Sequence, residues 1–150
     1  MACNENTGEF MKKIEIEFSR GGRFTAELLE RDAPKTCDAI WNHLPLELEV
    51  YQTTNSGQGI YGYIDFRIAP ENPQVLGLAP GTVVAGGVNP QSLNEIIISY
   101  GLFVPFHWSV ASYLPVNPFA KIGEGLDELA KVGQRLHRQG LERISIRKRE

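Results

Sequence analysis

The chain has 150 residues, a formal net charge of -3 and 22% charged residues. A chain of this length buries about 70% of its unfolded surface, so one domain with one core needs no metal or disulfide to hold it. Mild acidity speaks against broad nucleic-acid binding and against an anionic membrane surface as partner, and no apolar run is long enough to span a bilayer.

Residues 1–10 are polar, lack a signal-peptide core, and read as a flexible extension ahead of a single domain at 11–150. In Lys12 to Phe18, Ile14, Ile16 and Phe18 alternate with Lys13, Glu15 and Glu17, the period of a half-buried strand. Ser19-Arg20-Gly21-Gly22 supplies a tight hairpin, and Phe24, Ala26 and Leu28 begin a second strand. Asp32 is placed to cap a helix that Pro34 opens. Ala33, Cys37, Ile40, Trp41 and Leu44 follow at helical spacing, which puts Trp41 in the core, and Pro45 ends the helix. The two cysteines, Cys3 in the polar segment and Cys37 on this helix face, make a poor disulfide pair and fit a reducing cytoplasm.

The third strand, Leu46 to about Thr53, points Leu48 and Val50 one way and Glu47, Glu49 and Tyr51 the other. After a turn at Asn55 to Gly57, the strand from Gly59 to Phe66 has Ile60, Ile64 and Phe66 on one face and Tyr61, Tyr63 and Asp65 on the opposite face. Pro70, Pro73 and Pro80 punctuate a long connection. Thr82 to Val88 is an apolar strand whose Gly86-Gly87 signals a bulge or a close approach, and Glu95 to Tyr100 is a buried strand. Gly101 to Pro118 is irregular and aromatic, broken by Pro105 and Pro115, so it is expected to join no sheet and to fold over an outer wall. A short strand at Phe119 to Ile122 leads to a second helix, Glu124 to Gln139, which buries Leu126, Leu129, Ala130, Gly133 and Leu136 and stops at Gly140. Leu141 to Arg147 is the last strand.

Eight strands and two helices suit a mainly β architecture, a closed antiparallel barrel with a helix over each end. Its interior is expected to be filled by Ile14, Ile16, Phe24, Leu28, Val50, Ile64, Ile97 and Ile144, so a ligand has to bind outside it.

The words FTAELLERDAPKTCDAIWNHLP at the first helix, NEIIISYG at Asn94 to Gly101, and NPFAKIGEGLDELAKVG at Asn117 to Gly133 resemble the cyclophilin-like fold, and within it the bacterial DUF3830 family. The resemblance implies an eight-stranded barrel with two helices. It also implies prolyl isomerase activity, which the site residues contradict. Cyclophilins carry an arginine on the third strand, and LELEVYQTT has none. Their methionine-glutamine-glycine-glycine hairpin is absent, and their histidine three residues before the phenylalanine matching Phe119 falls on Val116. Arg67 is the nearest arginine in sequence that can substitute.

Other chemistries find little support. Gly57 to Gly62 spells GxGxxG, yet a strand follows where a dinucleotide site needs a helix. His43, His107 and His137 stand far apart with no ligand spacing, so neither a metal nor another cofactor is expected, and Ser56 and Ser109 lack activating partners. The remaining constellation is an outer aromatic groove of Tyr51, Thr53, Tyr61, Tyr63 and Asp65, with His107 and Trp108 folded over it and Asn117 nearby. Glu95 and Tyr100 can line the same loop-covered end. Such a groove stacks a small molecule or short peptide on its rings. The alternatives are an enzyme using Arg67 or His107 as its catalytic residue, and a homodimer that buries the same tyrosines.

Deleting residues 1–10 is expected to leave the thermal midpoint nearly unchanged, because that segment has no apolar periodicity to bury. A much lower midpoint for the truncated chain would mean that the segment packs.

Overall fold

The computed structural model describes residues 11–53, 56–74, 77–87, 94–104, 106–107, 112–113 and 115–149, the side chains of 106, 107, 112 and 113 excepted. The elements run β1 (Lys13–Phe18), β2 (Arg23–Leu28), α1 (Pro34–His43), β3 (Leu46–Gln52), β4 (Gly57–Ile64), β5 (Thr82–Gly86), β6 (Asn94–Phe103), β7 (Phe106–His107), β8 (Ser112–Tyr113), β9 (Val116–Ile122), α2 (Leu126–Gln139) and β10 (Glu142–Arg149). The fold is a closed eight-stranded antiparallel barrel in the order β1-β10-β3-β4-β6-β5-β9-β2, with two helices. The expected architecture and all eight expected barrel strands are present.

Alternation explains the closure. Ile14, Ile16 and Phe18 of β1 are almost wholly buried, and so are Phe24, Ala26 and Leu28 of β2 and Ile144 and Ile146 of β10. Their register partners lie on the same face, so the three strands fill one side of the interior. Gly21 and Gly22 take φ of 112° and 115° to reverse the chain between β1 and β2, a conformation open to glycine at little cost. Gly86 has φ of 141°, and a Cβ there would stand 2.6 Å from the Pro115 carbonyl oxygen. This is the close approach that the Gly86-Gly87 pair signals.

A second, smaller apolar cluster lies outside the barrel interior. It holds Leu78, Val84, Ile97, Phe103 and Val116, with Tyr61 packed against it. Tyr61 pairs with Ile97, and Ile97 with Val84, so this cluster forms the outer wall of β4, β6 and β5. Isolated bridges from Gln74 to Val116 and from Leu78 to Phe103 lay the long connection over that wall.

Four expectations need correction. Ile97 is not interior: Ile96 and Ile98 face inward, and Ile97 belongs to the outer cluster because β6 is buried on both faces. The aromatic segment does form a sheet, since β7 and β8 pair as a two-stranded ladder of their own. Asp32 does not cap α1. The cap position is Ala33, with no side-chain cap, and the Glu71 carboxylate accepts from the Lys35 and Thr36 N–H groups and from the Thr36 hydroxyl, each at 2.9 Å. Trp41 is half-buried, packed on the flank of the core with the Lys12 and Lys148 ammonium groups 5.0 and 4.8 Å from its ring centroid. Thr36, Cys37 and Ile40 set the inward direction of α1, and Trp41, one residue past Ile40, is turned about 100° from it.

The second helix matches its pattern more closely. Leu129, Val132, Gly133 and Leu136 are buried, and Gly140 ends it with φ of 87° and its N–H on the Leu136 carbonyl. Gly133 faces the ring of Tyr100, which a Cβ would meet at 2.4 Å, so only glycine lets α2 lie this close to β6.

These burial patterns set two stabilities apart. Phe119→Ala, at a wholly buried ring, should cost ~3–5 kcal/mol. Trp41→Ala, at a half-buried ring on the flank, should cost only ~1–2 kcal/mol. Urea melts of the two variants check the order, and equal losses would place Trp41 back in the core.

Candidate functional site

The outward positions of β3 and β4 bring three tyrosines together. Tyr51 and Tyr61 are register partners, with ring centroids 5.5 Å apart and planes inclined by 34°. Tyr63 meets Tyr61 edge to face at 5.7 Å and 81°. All three rings stay outside the barrel interior; Tyr61 leans on the outer apolar cluster, and Tyr63 is 43% exposed. The Tyr51 hydroxyl donates to Glu49 at 3.3 Å.

Glu95 stands beside this wall. It is the register partner of Tyr63 on one side and Gly86 on the other, so its side chain shares the face of the tyrosines. It is only 7% exposed, and among the described residues no Arg, Lys or His pairs with it. Burial pushes its carboxyl up to about 7. Burial likewise lifts the Tyr63 hydroxyl to about 12, helped by the charges of Tyr61 and Glu95, and raises that of Tyr61. A carboxyl that changes charge near neutral pH, set against three phenols, is a group suited to bind a cation or carry a proton.

The other nominated residues fall elsewhere. Thr53 is buried, donating its hydroxyl to the Gly57 carbonyl at 2.6 Å and accepting the Gly59 N–H at 3.2 Å; it locks the β3–β4 turn. Asn117 is wholly buried: its Oδ1 accepts from the Glu71 and Asn72 N–H groups, and its Nδ2 donates to the Thr36 hydroxyl and the Ala69 carbonyl. All four bonding positions of that amide are taken, three by the 69–72 loop and one by Thr36 of α1, leaving none for a ligand. Tyr100 is buried against α2 and accepts from the Gln52 amide at 3.1 Å. Asp65 is exposed just past the end of β4. Arg67 is exposed on a cleft of about 230 Å³ at the start of α1, with Lys35, Thr36, Ala39, Pro70 and Glu71, and no tyrosine lines it. The His107 side chain and all of Trp108 lie outside the described residues.

The prolyl isomerase positions are empty of the expected chemistry. β3 carries no arginine, and Val116 is wholly buried in the outer cluster. Cys37 is inert packing, 1% exposed, with its thiol bonded to the Phe119 carbonyl and burial raising it to about 12. Larger clefts of about 480 and 460 Å³ open on the faces of β1, β2 and β10, where Glu17, Arg23 and Arg143 are already engaged in ion pairs.

Sequence reasoning missed the weight of Glu95. The signal was available: NEIIISY is apolar on both faces, so an acidic side chain within it has to be buried whichever way it points.

The family model for the proteins of unknown function DUF3830 matches residues 15–147. A comparison with curated proteins returns no match. Among solved structures, McbB in complex with tryptophan superposes with a TM-score of 0.71 at 20% identity, over 89% of this chain and 44% of that one. The chain thus spans less than half the length of that relative. A hypothetical protein from Archaeoglobus fulgidus superposes with a TM-score of 0.61 at 21% identity, covering 91% of this chain and 94% of that one. The Mimivirus cyclophilin gives 0.57 at 11% identity, over 91% and 87% of the two chains. A cyclophilin-type peptidyl-prolyl cis-trans isomerase of Cryptosporidium parvum gives 0.51 at 16%, over 94% and 99%. At these identities the likeness is one of fold, and the fold is cyclophilin-like.

Glu95 also marks the pH dependence of stability. Its folded value lies above the ordinary 4.5, so between about 4.5 and 7 the folded chain holds a proton that the unfolded chain releases. Its contribution to stability is therefore full at acid pH and declines as pH rises through that window. Glu95→Gln should raise stability near pH 8 by up to ~3 kcal/mol and change it little near pH 4. Denaturant melts across the range check this, and a variant less stable at both ends would refute it.

Proposed function

This chain belongs to the DUF3830 family of proteins of unknown function, and we propose that its cyclophilin-like barrel binds a small planar molecule, or an aromatic group of a short peptide, on the outer wall of Tyr51, Tyr61 and Tyr63. The observation that carries the reading is three phenol rings on adjoining strands, held at tilted and edge-to-face angles outside the core, with a buried carboxylate beside them. Rings fixed in this way lose little conformational freedom when a planar group stacks on them. Asp65, at the end of β4, offers a polar rim. The tryptophan complex of McbB supports the reading, since that ligand carries a planar indole ring and the two structures share the fold. The buried Cys37, which has no disulfide partner among the described residues, supports a cytoplasmic setting.

Isothermal titration with L-tryptophan and with a short aromatic peptide tests the wall. The wild type should bind at least one of them, and Tyr63→Ala should weaken that binding by about three- to tenfold, the ~0.5–1.5 kcal/mol of an aromatic pair. No heat from any aromatic probe, or an affinity unmoved by Tyr63→Ala, would remove the proposal.

A further inference from the structure

We propose that the molecule received by the tyrosine wall is an aromatic primary amine in its ammonium form, its ring stacked on Tyr61 and Tyr63 and its charge paired with Glu95. The inference rests on the aromatic-wall reading above and adds the charge and the spacing of the ligand. It begins from a contrast between two buried acids. Glu142 has a side chain with no exposure, yet Arg135 grips it through two bonds of 2.8 Å and Arg20 adds a third contact at 3.4 Å. Glu95 is nearly as buried, and no cation among the described residues answers it. A buried carboxylate without a cation is costly in its charged form, and a ligand that brings the cation recovers that cost on binding.

The surroundings of Glu95 select the sign of that ligand. From β4 it is faced by Tyr61 and Tyr63, with Tyr51 of β3 beyond them; from β5 the opposite residue is Gly86, and past it on β9 lies apolar Val116. Among the described residues its titratable neighbours are phenols, neutral near pH 7, with Tyr63 raised to about 12. Phenol faces are electron-rich and attract a cation, so ring and carboxylate act in the same direction and an anion is opposed by both. A primary ammonium is compact and carries three donors, which suits a carboxylate that is only 7% exposed.

Spacing follows from register. Tyr63 and Glu95 stand directly opposite, and such partners have Cβ atoms about 5 Å apart. A ring stacked on Tyr63 therefore carries a charge to Glu95 on a linker of about two carbons. Binding of the ammonium holds Glu95 ionised, so affinity has to fall as Glu95 takes up its proton below about pH 7.

Titration calorimetry with 2-phenylethylamine, 2-phenylethanol and 3-phenylpropanoate, which share one ring and differ in charge, tests the proposal on wild type and Glu95→Gln. Near pH 8 the amine should bind the wild type about tenfold or more tightly than the alcohol, and the acid weakest of the three. That preference should vanish in Glu95→Gln, and in the wild type it should shrink about tenfold near pH 5.5, an arm that needs no variant. The alcohol should bind both proteins equally. Equal binding of amine and alcohol to the wild type, or an amine preference that survives Glu95→Gln, overturns the inference. If that happens while Tyr63→Ala still weakens both compounds, the aromatic wall stands and only its charge preference falls. Failure of every ring compound to bind removes both.

Discussion

The barrel depends on one ionic junction at the start of its last strand. Glu142 opens β10, accepts two bonds from Arg135 of α2, and takes the Arg20 N–H at 3.3 Å from the β1–β2 hairpin. Arg135 also reaches the Gly21 carbonyl, and Arg20 the carbonyls of Gly140 and Leu141. One carboxylate thus fixes where the last strand enters between β1 and β3, how the first hairpin sits, and where α2 ends. Removing one partner of such a group leaves a buried charge uncompensated, typically a loss of about 3–5 kcal/mol. With β10 seated, the ladders on both sides of it close and the remaining strands have fixed neighbours.

The strand pairing that follows encloses β6 on both faces. Ile96 and Ile98 fill the interior while Ile97 and Phe103 enter the outer cluster, so this strand has core on both faces. A polar group placed there is held by its neighbours on both sides, and it has to be satisfied within the protein or serve a purpose outside it. Ser99 shows the first outcome, donating to the Ala79 carbonyl at 2.6 Å. Glu95, opposite Tyr63 and with no cation paired to it among the described residues, is the group that our proposal assigns to a ligand. Likeness of fold to an isomerase carries no activity to this chain, whose β3 has no arginine.

Much of this was legible in the residues. The period-two runs of β1, β2, β3 and β4 name their inward faces correctly, and Tyr51, Tyr61 and Tyr63 were placed outside the barrel by parity alone. What was illegible came from partners distant in sequence. Asp32 has the right chemistry for a cap, but Glu71 reaches the same N–H groups from a loop that no local pattern links to α1. Asn117 looks like a ligand contact until the loop that consumes its amide is seen. Ile97 was misplaced because a strand buried on both faces has no alternation to read. Trp41 was misplaced because hydrophobicity marks a helix stripe without marking its edge.

The Glu71 cap has a consequence for what this surface can hold. The N-terminus of a helix is a ready place for an anion, through its free N–H groups and its dipole. Here the chain has put its own carboxylate there. Although partial burial opposes its charge, bonds from Thr36 and Lys35 hold Glu71 below the ordinary carboxylate range, so it stays ionised. Asn117 tethers the Glu71 backbone. A free phosphate or carboxylate would therefore compete with a captive rival whose effective concentration is in the range of mM or above. This entrance of the fold is plugged from within.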